Sequence, residues 1–156
     1  PCCRKILEEY SNTTLTNDIV ESKMIHEVLN YIQKLVQMVN PQLLYIAIDG
    51  VAPCAKMNQQ RLRRYKNVYE KDKIDKIKVE ENKELNIFNW NTNAISPGTE
   101  FMDKLSYKIK SEMKTNSLYS SIKVYFSDSY TPGEGEHKIL DYIKKHDLDG
   151  NILFMG

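Results

Sequence analysis

A chain of 156 residues, 41% of them hydrophobic, is long enough to bury the core of one domain. A net charge of +1 excludes a global basic field, so any surface for nucleic acid has to be local. Cys2, Cys3 and Cys54 are odd in number and lack CxxC spacing. That argues against a disulfide framework or a zinc site and fits a reducing intracellular setting, cytoplasm or nucleus. There is no signal-like segment and no long apolar span, so no membrane partner is expected.

Residues 1–17 read as irregular, and Asp18 with Glu21 three residues on resembles a capping box. Met24, Ile25, Val28, Leu29, Ile32, Leu35, Val36 and Val39 then hold a helical apolar stripe. Pro41 ends it, since the residue before a proline avoids the helical region. Residues 43–48 are nearly all apolar, as in a strand covered on both faces of a parallel sheet. A long helix is expected over 55–85. Its first part carries Lys56, Arg61, Arg63, Arg64 and Lys66 with no acid, and its second part is polar all round, which predicts projection into solvent. Residues 88–96, with the single Trp90, read as irregular. Pro97-Gly98-Thr99 introduces a helix with Met102, Leu105 and Ile109 on one side. Ile122, Val124 and Phe126 alternate as a strand does. A helix follows over about 134–146, with Ile139, Leu140 and Ile143 facing inward, and 151–155 read as a last strand. Strands alternating with helices predict an α/β fold around a mainly parallel sheet flanked by helices.

In such sheets ligands bind beyond the carboxyl ends of the strands. Asp49 follows one strand directly, and Glu134 and Glu136 lie in the connection after another, so the three acids are expected to converge on one edge. Clustered carboxylates suit a hard cation such as Mg²⁺ or Mn²⁺. Asp49-Gly50 is equally a common turn, and acids in a first helical turn equally complement the helix dipole. Lys56, Gln60, Arg63 and Arg64 fall at i, i+4, i+7 and i+8, which stacks an ammonium, an amide and two guanidiniums on one helix face. That face is either a solvated charged side or a phosphate clamp. The clamp is favoured by its place in the opening turns of a helix that starts beside Asp49. His137 and Lys138 follow Glu136 without an assigned role. Tyr65 and Trp90 are expected in the core more than against bases.

Three blocks carry a resemblance to a known family. They are Asp49-Gly-Val-Ala-Pro-Cys-Ala-Lys-Met-Asn-Gln-Gln-Arg-Leu-Arg-Arg-Tyr65, Asn93-Ala-Ile-Ser-Pro-Gly-Thr-Glu-Phe-Met102 and Ser127-Asp-Ser-Tyr-Thr-Pro-Gly-Glu-Gly-Glu-His-Lys-Ile139. In this order they resemble the XRN family of 5′→3′ exoribonucleases. The resemblance implies a nuclease core related to flap endonucleases and PIN domains, which degrades single-stranded RNA from a 5′-monophosphate end with divalent cations. It makes Asp49, Glu134 and Glu136 metal ligands and catalytic residues, and Lys56, Gln60, Arg63 and Arg64 the pocket for the 5′-phosphate. Cys54 departs from the family, which usually has a basic residue there.

The resemblance also implies a metal aspartate shortly before Pro1 and an Asp-x-Asp pair shortly after Gly156. Residues 1–156 are therefore expected to be part of a longer nuclease domain, inactive by themselves. Two rival readings remain at this point: a DNA flap nuclease on the same core, and a non-catalytic RNA-binding paralogue.

Overall fold

The computed structural model describes residues 16–81, 90–148 and 150–155. Helix α1 spans Asn17–Val39 and begins two residues earlier than a capping box at Asp18 requires. Thr16 is its N-cap, without a side-chain cap bond. The Glu21 carboxylate looks elsewhere, accepting from Trp90 Nε1 at 3.3 Å and Lys104 Nζ at 3.0 Å. A tertiary pair of partners has displaced the local cap. At its other end α1 stops at Asn40, whose left-handed backbone (φ 45°) is tolerated by a short polar side chain ahead of Pro41.

Strand β1, Leu43–Ala47, pairs in parallel with β2, Lys123–Ser127, in the register Leu43↔Lys123 to Ala47↔Ser127. Between them run α2 (Cys54–Glu80), a 3₁₀ turn at Thr92–Ala94, α3 (Glu100–Thr115) and a second 3₁₀ turn at Ser117–Tyr119. Helix α4, Gly135–Lys145, follows β2. The fold is α/β, with a parallel pair of strands flanked by helices.

Period-2 alternation sends the two faces of the sheet to different partners. On one side Ile48 and Phe126 pack against a core of Val20, Met24 and Ile25 from α1 and Phe101, Met102, Leu105 and Ile109 from α3. Trp90 closes that core, edge-on to Phe101 at 5.2 Å, as a core aromatic rather than a base platform. On the other side Tyr142 of α4 lies 4.5 Å from Tyr45 and 5.2 Å from Tyr125. These aromatic contacts dock α4 through Tyr142, and Leu140, expected inward, is exposed. Every position of β1 is half-buried rather than fully covered, because only one strand pairs with it among the described residues.

Helix α2 has 27 residues, none of them buried, and is about 40 Å long at 1.5 Å per residue. It projects from the domain, as its polar composition requires. The expected continuation to 85 lies partly outside the described residues, as do 1–15 and the start of the 88–96 stretch. The expected strand at 151–155 does not form: these residues are exposed and irregular, and no neighbouring strand among the described residues offers them a ladder. No described helix is long and apolar enough to cross a membrane.

Ile109 is 2% exposed at the centre of the α1–α3 contact. Ile109→Ala should destabilise this domain by about 2–5 kcal/mol through the transfer and cavity costs, read from the urea midpoint of its unfolding. Leu140→Ala, at an exposed position, should cost ~1 kcal/mol or less in the same measurement.

Candidate active site

The pairing of β1 with β2 does not stop at the strand ends. Ile48 N donates to Ser127 O at 2.9 Å, Gly50 N to Gly133 O at 2.9 Å, and Gly133 N to Val51 O at 2.9 Å. The Asp49 loop and the Pro132-Gly133 turn are thereby zipped together. Gly50 is demanded by this closeness, because a Cβ there would sit 1.9 Å from the Thr131 carbonyl oxygen. Gly135 is similarly pressed on β1, with a notional Cβ 3.2 Å from Ala47 O and 3.3 Å from Asp49 Oδ1.

The zipped loops carry Asp49 to the N-terminus of α4. Its Oδ1 accepts the Gly135 N–H at 2.6 Å, across 86 positions of sequence. A first-turn amide has no partner within its own helix, and a carboxylate satisfies both the donor and the positive end of the dipole. Asp49 thus does a capping job that Glu134, the residue at the N-cap position, leaves undone. Glu134, Glu136 and His137 offer ligand atoms within 4.8 Å of one another. Asp49 lies outside that group but is joined to it through the Gly135 amide. All three acids expected to converge are brought to one edge, and His137, given no role by the sequence reading, joins them. Its adjacency to Glu136 was the available signal. The donor set, two carboxylates and an imidazole, could hold a divalent cation.

Lys56, at the head of α2, places its Nζ 3.4 Å from Glu134 Oε1 and relieves part of the repulsion among the acids. A second cation stands behind the site. Lys138 is buried, and its Nζ donates at 2.8 Å to Ile48 O and at 2.8 Å to Asp128 O. Burial pushes its ammonium below the usual lysine range, opposed by the charges of Asp128 and Asp49. Asp128 is itself held below the usual carboxylate range, first by the hydrogen bond from Lys110, and its Oδ1 accepts the Tyr130 N–H at 3.1 Å, closing the turn after β2.

The four basic-face residues do not all look the same way. Gln60 and Arg64 line a cleft of about 530 Å³ together with Arg61, Tyr65 and the loop residues Asn93 and Pro97. Lys56 faces the acids instead, and Arg63 is exposed outside the cleft lining. Tyr65, expected in the core, is 69% exposed at the cleft wall. The first and second sequence blocks line the cleft together, and the third, which supplies the acids, touches the first through Lys56 and Glu134.

The region matched to the family described as XRN 5′-3′ exonuclease N-terminus spans residues 1–153. The chain belongs to the XRN 5′-3′ exonuclease family. It is 36% identical over 170 residues to 5′-3′ exoribonuclease 2 of Aspergillus oryzae, covering 87% of this chain and 16% of that protein. To 5′-3′ exoribonuclease 1 of Saccharomyces cerevisiae it is 38% identical over 136 residues, covering 83% and 9%. To 5′-3′ exoribonuclease 1 of Homo sapiens it is 38% identical over 160 residues, covering 88% and 9%. The chain therefore spans only about a tenth to a sixth of the length of these relatives. Its parallel strands flanked by helices are consistent with the PIN-like nuclease core expected of an XRN N-terminal domain.

If the strand-end zipper holds the site, Gly50→Ala should lower domain stability by about 2 kcal/mol or more, since the added methyl meets backbone and not a flexible side chain. Thermal melting checks this, and an unchanged melt would remove the constraint.

Proposed function

We propose that this chain is part of the catalytic domain of a divalent-metal-dependent 5′→3′ exoribonuclease that hydrolyses single-stranded RNA carrying a 5′-monophosphate. The observation that carries the reading is the 3.4 Å contact of Lys56 with Glu134, which sets the head of the basic helix against the carboxylate group. Phosphate donors and metal-type acids are then neighbours, as cleavage close to a phosphorylated end requires.

In this reading Asp49, Glu134 and Glu136 hold the Mg²⁺ or Mn²⁺. When bound, the cation lowers the pKa of a coordinated water and stabilises the leaving oxygen. The chain's own contribution is placement. Arg64 and Gln60 present a charged and a neutral donor to a terminal phosphate, whose double charge they favour over an internal phosphodiester, and Arg63 and Lys56 add positive charge from outside the cleft lining. In this reading the small size and double charge of a monophosphate set it apart from a cap or a triphosphate. The exposed free thiol of Cys54 supports action in a reducing compartment, cytoplasm or nucleus.

In the full-length protein, Arg63→Ala with Arg64→Ala should lower kcat/KM on 5′-phosphorylated RNA by about ten- to a hundredfold more than on 5′-hydroxyl RNA, the loss of one to two charge-assisted hydrogen bonds. Equal losses on the two substrates would remove the phosphate-clamp role. Glu134→Gln keeps the side chain's shape but not its charge. It should abolish Mg²⁺-dependent cleavage, while RNA affinity measured by fluorescence anisotropy stays within about threefold of the parent. Retained cleavage would take Glu134 out of the site.

A further inference from the structure

Lys138 takes no part in the reading above, yet it is the most constrained cation near the site. Lysine is almost never this buried without a paired charge, and here only 7% of the residue is exposed. Among the described residues no carboxylate lies within ion-pair distance of it. Two backbone carbonyls hold its ammonium instead, each at 2.8 Å. An apolar side chain of similar length would fill the same space without desolvating a charge, so packing alone gives no reason for lysine. The reason lies in which carbonyls it binds. Ile48 directly follows β1 and directly precedes Asp49, while Asp128 directly follows β2. The same residue's backbone N–H donates to Glu134 O at 3.0 Å.

We propose that Lys138 is a positioning residue for the metal-binding carboxylates: it ties the ends of both strands to the first turn of α4 and so fixes Asp49 relative to Glu134 and Glu136. Three contacts make the arrangement rigid. The Gly135 amide holds the Asp49 carboxylate, the Lys138 ammonium holds the carbonyl just before it, and the Asp128 carbonyl locks the neighbouring strand to the same nitrogen. With three donors of fixed tetrahedral geometry, one ammonium spans both strands, which a single-donor side chain cannot do. The catalytic consequence rests on the function proposed above; the clamp itself does not.

The test compares full-length parent, Lys138→Met and Lys138→Gln, with Val36→Ala, buried toward the C-terminal end of α1, as a control for general destabilisation. Amide hydrogen exchange without metal reads the clamp, Mn²⁺ calorimetry without RNA reads the site, and kcat and KM on 5′-phosphorylated RNA read the outcome. Lys138→Met should speed exchange in peptides covering 46–52 and 133–138 while those of α1 and α3 stay protected. It should also weaken Mn²⁺ binding and lower kcat by about ten- to a hundredfold with KM nearly unchanged. Lys138→Gln, which keeps one donor pair, should fall between the two, and it carries the same comparison should Lys138→Met fail to fold. Val36→Ala should lose melting temperature while keeping Mn²⁺ affinity within about twofold, because Val36 lies outside the core cluster that Ile48 packs against. Unchanged exchange in both peptides overturns the clamp, and unchanged Mn²⁺ affinity and kcat overturn the positioning role. A parent that binds no Mn²⁺ refutes the proposed function instead, while the exchange comparison still decides the clamp.

Discussion

The hydrogen bonding that joins β1 to β2 runs on beyond the strands, through Ile48, Gly50, Val51 and Gly133, into the two loops that follow them. Two residues more than 80 positions apart, Asp49 and Gly135, meet because of this extension. Parallel strands have their carboxyl ends on the same side, so whatever follows each strand is delivered to one edge. The glycines at 50 and 135 let the backbones close to distances that a Cβ would forbid. Remove the extended pairing and the acids would be carried on two independent loops.

Charge follows from that closure. Three carboxylates at one edge repel, and the fold answers with cations from two directions. Lys56 approaches from the head of α2 at the surface, and Lys138 stands behind the strand ends in the interior. The helix that carries Lys56 buries none of its residues, and it shares a cleft with the loop residues Asn93 and Pro97. This divides its basic face. Lys56 serves the acids, and Gln60 and Arg64 serve the cleft.

Much of the framework was legible in the residues. The apolar stripes of α1 and α3, the two strands, the polar projecting helix and the convergence of Asp49 with Glu134 and Glu136 all follow from periodicity and from the strand-end rule. The readings that changed share one cause, competition from distant partners. Glu21 left its local cap for Trp90 and Lys104. Tyr65 went to the cleft wall while Trp90 entered the core as expected, because aromatic type alone does not distinguish the two. Residues 151–155 had the composition of a strand but lack a neighbour among the described residues, and composition supplies no hydrogen bonds.

By itself, the sequence determined the α/β class, the order of the elements up to the last helix, the acids and bases proposed to carry chemistry and the family to which the chain belongs. These depend on local spacing and on motif identity, and both are written along the chain. Tertiary structure alone decided that Asp49 caps α4, that His137 joins the acidic group, that the basic face splits between acids and cleft, and that Lys138 is a buried tie between strand ends. Each of these is a contact across long separation. Which of several chemically suitable partners is met depends on strand register and helix docking, and no spacing within the chain encodes that choice.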